Sequence, residues 1–152
     1  GDQRMNPVDQ RMGQRERDRR AVTVGTVVTT VATIAFFLAP EVVDAVATTR
    51  SLPVDLLRWW GGATGGGIAG WLASERGSGL IIGVKAAIYG LFIAYAVAVV
   101  LYLGYGAAVG VFPPPGLALV AVLLYYLIPL LLTHLLGGLI AGTALHRVRS
   151  RE

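Results

Sequence analysis

Residues 79–103 read GLIIGVKAAIYGLFIAYAVAVVLYL, and the only charge in them is Lys85. At 1.5 Å per residue these roughly 25 positions span about 37 Å as a helix, enough to cross a ~30 Å hydrocarbon core with some tilt. The C-terminal run, residues 117–145, is longer still: LALVAVLLYYLIPLLLTHLLGGLIAGTAL. At about 29 residues and roughly 43 Å it exceeds one bilayer thickness, so tilt, a kink at Pro129 or a protruding end must absorb the excess. Toward the N-terminus, residues 21–39 are uncharged and rich in Val and Thr, span about 28 Å, and are expected to end at Pro40. Residues 54–73 are the least hydrophobic of the four runs and open with Arg58, Trp59 and Trp60, which suit the headgroup level.

The links fit the same plan. Residues 41–55 carry Val42, Val43 and Val46 beside Glu41 and Asp44, the pattern of a short amphipathic helix lying in the interface. Residues 74–78 make a short polar link with Glu75 and Arg76. Residues 104–116 contain Pro113, Pro114 and Pro115, which forbid a helix and favour a stiff extended turn. Composition agrees: of 152 residues 55% are hydrophobic and only 14% charged, with mean hydropathy +0.64. A soluble fold of this size could not coat its surface with so few charges. The expectation is an all-α integral membrane protein, a bundle of four spans at about residues 21–39, 54–73, 79–103 and 117–145.

Charge placement sets the orientation. Arg4, Arg11, Arg15, Arg17, Arg19 and Arg20 precede the first run, and Arg147, Arg149 and Arg151 follow the last. Basic flanks stay on the cytoplasm-like side, so both termini are expected inside, with residues 1–20 and 146–152 as basic tails. A three-span arrangement with a re-entrant second segment would separate the termini, and the two basic ends argue against it. Residues 1–20 hold six Arg against Asp2, Asp9, Glu16 and Asp18, repeat Asp-Gln-Arg-Met at 2–5 and 9–12, and offer Asn6-Pro7 as a helix start. Arg15, Arg17, Arg19, Arg20, Arg147 and Arg149 are therefore candidates for contact with anionic lipid or a partner. Nucleic acid is a weaker expectation, because no aromatic residues interleave the bases. No apolar signal core precedes residue 21, so the first run is expected to be retained.

Within the second run Gly62, Gly66 and Gly70 recur every four residues, with Gly61 and Gly65 one step behind. Lipid supplies no hydrophobic drive between helices, so close backbone approach over small residues drives association. Gly138 and Gly142 of the fourth run are the expected mates, and GGIAG at 66–70 echoes GLIAG at 138–142. Packing within one chain is the first reading of this face and a homo-oligomer interface the second.

Chemistry is sparse. The absence of Cys excludes disulfides, thiolate metal sites and cysteine nucleophiles, and only His134 and His146 could offer imidazole. The spans hold no carboxylate, which argues against a proton-coupled carrier and removes paired acids for hydrolysis. The glycines lie in apolar helices and precede no Gly-Lys-Ser/Thr, so no phosphate cradle is expected. The expectation is a non-enzyme without cofactor or metal. Lys85 and His134 form the possible intramembrane polar site. Lys85, two turns from the inner end, reads first as a snorkelling lysine and second as an ion-path or headgroup contact. His134 reads first as a structural hydrogen bonder and second as a proton relay.

The run GGGIAGWLA at 65–73, the polar link and GVKAAIYG at 83–90 together resemble small four-span membrane proteins of haloarchaea whose function is uncharacterised. The size, four spans and inward basic ends are also similar to the internal membrane proteins of pleomorphic haloarchaeal viruses. That resemblance implies a structural component of a lipid envelope, in a host membrane or viral envelope, with an envelope protein as partner. The function expected is membrane-organising and non-enzymatic. Its alternative is a small channel or transporter subunit assembled through glycine-zipper helices.

Overall fold

The computed structural model describes residues 6–46, 59–74, 77–110 and 117–151. Four helices carry almost all of them: α1 Pro7–Val46, α2 Gly61–Leu72, α3 Gly79–Ala108 and α4 Leu117–Arg149. The all-α class is therefore as expected. α3 and the 124–149 stretch of α4 are each long and apolar enough to cross a membrane. The Pro-rich turn at 113–115, the polar residues Glu75 and Arg76, and residues 47–58 with Arg50 and Arg58 lie outside the described residues.

α1 begins where its sequence offers a cap. The Asn6 side-chain oxygen accepts from the Val8 N–H (3.2 Å), and Pro7 occupies the first helical position, where no N–H is needed. The helix then runs for 40 residues, through Pro40 to Val46. This corrects the expected end at Pro40. A proline removes one backbone donor and crowds the preceding turn, and a long apolar helix tolerates that defect when the turns on either side continue. The same continuity makes residues 7–20 a prolongation of the α1 helix, and the helix likewise takes in residues 41–46 of the stretch expected to lie in the interface. α2 is short: its 12 residues rise about 18 Å, well below the reach expected for 54–73. α3 is capped by the Ser78 hydroxyl, which accepts from the Ile81 N–H (3.4 Å). It runs five residues past the expected boundary to Ala108, and Gly110 then adopts φ +71°, the left-handed conformation that closes many helix ends. α4 continues through Pro129 and beyond Leu145 to Arg149.

The helices pack up-down-up-down. Gly25, Thr29 and Thr33 of α1 face Ala69, Gly65 and Gly61 of α2, an antiparallel register, while Gly25 and Thr29 also face Ala86 and Gly90 of the parallel α3. Gly62, Gly66 and Gly70 of α2 face His134, Gly138 and Gly142 of α4 in parallel. Gly79 and Gly83 of α3 meet His146 and Gly142 of α4 antiparallel. α1 and α4 stand across the diagonal, each packed on both α2 and α3. The start of α1 and the end of α4 therefore lie at one end of the bundle.

The interior is built from small residues. Ala21, Ala69, Ala73, Ile82 and Ala86 form a buried cluster, Leu91 and Ala94 continue it, and Thr29, Thr33, Ser74 and His134 are buried polar residues. Large apolar side chains point outward instead: Val31, Phe92, Val100, Leu101, Leu132 and Ile140 are all exposed. In water this distribution would be inside out, since burial of large apolar side chains drives folding there.

Candidate functional site

The glycines make a three-helix seam. A Cβ on Gly66 would stand 2.5 Å from the Gly138 Cα and 3.0 Å from the Gly83 carbonyl oxygen, and a Cβ on Gly70 would overlap the backbone of Gly142. The two helix backbones are thus in direct contact, which only residues without side chains permit. The structure brings Gly62, Gly66 and Gly70 against the α4 stretch 134–142, with Gly138 and Gly142 inside the seam. The sequence reading missed the third member. Gly79 and Gly83 of α3 abut the same backbone, and Gly142 in turn touches the Gly79 carbonyl. The four-residue spacing of Gly79 and Gly83 could have disclosed them. On the other side of α2, Gly61 and Gly65 admit the Thr33 and Thr29 side chains of α1.

That second set of contacts creates the one buried polar link across the diagonal that the described residues show. Thr33 Oγ1 and His134 Nε2 lie 2.9 Å apart, and His134 Nδ1 lies 2.9 Å from the Leu130 carbonyl oxygen. A carbonyl can only accept, so Nδ1 carries the proton and Nε2 takes the Thr33 hydroxyl proton. Side chains at Gly61 and Gly62 would occupy this crossing: a Cβ at 62 would sit 2.5 Å from the His134 Cα. His134 is fully buried and both its nitrogens are engaged, the geometry of a structural strut.

Lys85 lies elsewhere. It is exposed, among Val22, Thr26, Ile81 and Tyr89 in an outward groove between α1 and α3. The structure does not bring Lys85 and His134 into one site, because α3 presents Lys85 toward α1 and the outer surface while His134 faces α2.

The end of the bundle that carries the bases contains a second set of polar contacts. α2 stops at Leu72, leaving its last carbonyls without helical partners. His146 Nδ1 donates to the Gly70 carbonyl oxygen (3.1 Å), and Arg149 Nη1 donates to the Ala73 carbonyl oxygen (2.8 Å) and also to that of Trp71. Cationic and N–H donors near a helix C-terminus complement its partial negative charge. The Asp18 Oδ1 holds the Ser74 N–H at 2.8 Å, fixing the start of the α2–α3 link against α1. Arg149, a candidate for lipid or partner contact, donates here to the α2 terminus. Arg20 pairs with Glu16 (3.2 Å) on the exposed surface, and Arg15, Arg17, Arg19 and Arg147 are exposed at the same end.

Among the described residues no three of His, Cys, Asp and Glu come together to hold a metal ion. No protein-family model, curated protein or solved structure matches the chain.

Proposed function

We propose that the chain is a multi-pass membrane protein with a non-enzymatic, membrane-organising role, as in a cellular membrane or a lipid envelope. The four runs at about 21–39, 54–73, 79–103 and 117–145 cross the bilayer as a bundle, α2 being the described part of the second, and its basic end faces inward, where the exposed Arg residues meet anionic lipid or a partner. The observation that carries this reading is the inverted distribution of side chains, with Gly, Ala and Thr inside and Leu, Ile, Val and Tyr outside. Apolar surface so extensive needs lipid as its solvent, and small residues at the contacts are what helix association in lipid requires. The up-down-up-down order and the shared basic end support an even number of crossings.

The chain has no cysteine, so single-cysteine variants give a clean test. Arg17→Cys and Ser150→Cys in intact cells or sealed vesicles should both be shielded from an impermeant maleimide and both react after permeabilisation. Reaction of only one before permeabilisation would refute the four-span arrangement.

A channel subunit is the second reading, favoured by the buried Thr29, Thr33 and His134 along one interior line. Liposomes holding the correctly inserted protein separate the two. The organising role predicts ion and small-solute flux equal to that of empty liposomes, whereas flux that responds to His134→Ala would favour the channel.

A further inference from the structure

A groove of about 890 Å³ runs along the outside of the bundle between the parallel helices α1 and α3. On α3 it extends from Ser78 to Ile93, about 22 Å along the axis, longer than the ~15 Å hydrocarbon half of a bilayer. The end near the basic tails is polar and includes Arg19, and the remainder is walled by Val22, Val27, Ile81 and Ile93. Because Gly25 faces Ala86 in this parallel pair, Lys85 lies roughly 7 Å deeper along the axis than Arg19, within reach of its own stem extended back toward the headgroups.

The charges are suited to one kind of ligand. Among the described residues neither the Arg19 guanidinium nor the Lys85 ammonium has a side-chain partner, while the one carboxylate lining the groove, Asp18, holds the Ser74 N–H. The Thr26 hydroxyl oxygen, on the same wall, is buried with no partner among the described residues. Elsewhere the spans expected at 79–103 and 117–145 have no Lys or Arg. Two cations from different helices therefore line the head of one chain-sized, largely apolar trough on the outer surface.

We propose that this groove binds one anionic phospholipid, with its phosphate between Arg19 and Lys85 and an acyl chain laid along Ile81, Val27 and Ile93. Arginine and lysine both serve as phosphate donors, and the apolar walls exclude water from the contact. The inference rests on the membrane-embedded reading above and adds a ligand to it.

The test is native mass spectrometry of the full chain released from phosphatidylglycerol or phosphatidylcholine bilayers, with insertion scored separately by co-flotation with each vesicle. The wild type should retain one phosphatidylglycerol in preference to phosphatidylcholine. Lys85→Gln and Arg19→Gln should each lower retention about fivefold, the effect of one basic residue on anionic lipid. Ile81→Trp, which fills the trough without changing charge, should abolish it, and Arg147→Gln, which removes an inward Arg outside the groove, should lower it far less than either groove charge variant. Equal retention of both lipids, or an equal loss with Arg147→Gln, would overturn the site and leave only unspecific attraction. A dimer that dissociates in Lys85→Gln would overturn it in favour of a second copy of the chain. Flotation without retained lipid defeats the site alone, whereas failure to float with either vesicle defeats the membrane reading as well.

Discussion

The two halves of α4 are both apolar, the N-terminal one the more so, and their surroundings are opposite. From His134 to His146 it lies backbone to backbone against α2 and α3 at Gly138 and Gly142. Before Pro129 the described side chains are mostly exposed, Tyr125 at 75% and Ile128 at 56%. α3 shows the same contrast, with Gly79 to Ala94 holding its buried positions and the stretch from Val97 to Val109 almost wholly exposed. In α4 the more apolar half is the open one, so hydrophobicity does not close the helices; glycine at the contacts does. Where small residues recur every four positions the helices close to contact, and where they give way to Leu, Val and Tyr the helices present their surfaces outward.

The sharpest way to break this contrast is to fill the seam. Gly66→Leu should disrupt the bundle, because its first carbon already meets the Gly138 backbone at 2.5 Å and backbone cannot step aside. A loss of about 3 kcal/mol or more is expected, read as a lower unfolding midpoint in detergent. Gly104→Leu in the open half, with nothing within 4 Å, should be neutral or slightly stabilising. Equal effects at the two positions would show that the seam does not hold the bundle. If Gly66→Leu keeps the fold but loses a native oligomer, the seam is an interface between copies.

Next in size is the diagonal strut. His134→Ala removes a fully buried ring and leaves the Thr33 hydroxyl unpaired, with an expected cost of about 2–4 kcal/mol. Chemical denaturation in mixed micelles would measure it, and a midpoint equal to wild type would show that the link carries no stability. Thr33→Val, which leaves the ring in place, should cost less, about 1 kcal/mol.

The basic end sharpens the comparison at smaller scale. Arg149→Gln should loosen the α2 terminus by about 0.5–1 kcal/mol, whereas Arg147→Gln, exposed at the same end, should be silent. Hydrogen exchange at Trp71 to Ser74 reports the difference, and equal protection in the two variants would dismiss the Arg149 contact. The smallest effect belongs to the open half: Tyr125→Leu should shift stability by no more than about 0.5 kcal/mol. A larger loss there would mean that this face is packed against something.

Much of the fold is legible because its signals are local. The long uncharged runs at 79–103 and 117–145 declare helices, Asn6-Pro7 declares a start, and the spacing of Gly62, Gly66 and Gly70 against Gly138 and Gly142 marks the faces that meet. Pro40 misled because proline's helix-breaking tendency is a local preference that a long continuous helix overrides. The role of Arg149 was hidden for a different reason: a charged side chain near a chain end looks free until the carbonyls it caps, 76 to 78 positions away, are seen beside it.

Composition and periodicity by themselves determined the helical class, the apolar stretches, the basic flanks and the bare faces, since each depends on residue type and on the 3.6-residue repeat. Only the tertiary structure decided that α3 joins the seam through Gly79 and Gly83, that Thr33 reaches His134 across the diagonal, and that Lys85 and His134 belong to different places. Those outcomes depend on which helices are neighbours and in what register. A shift of one residue along a helix turns a face by about 100°, so no single helix can specify what it will meet.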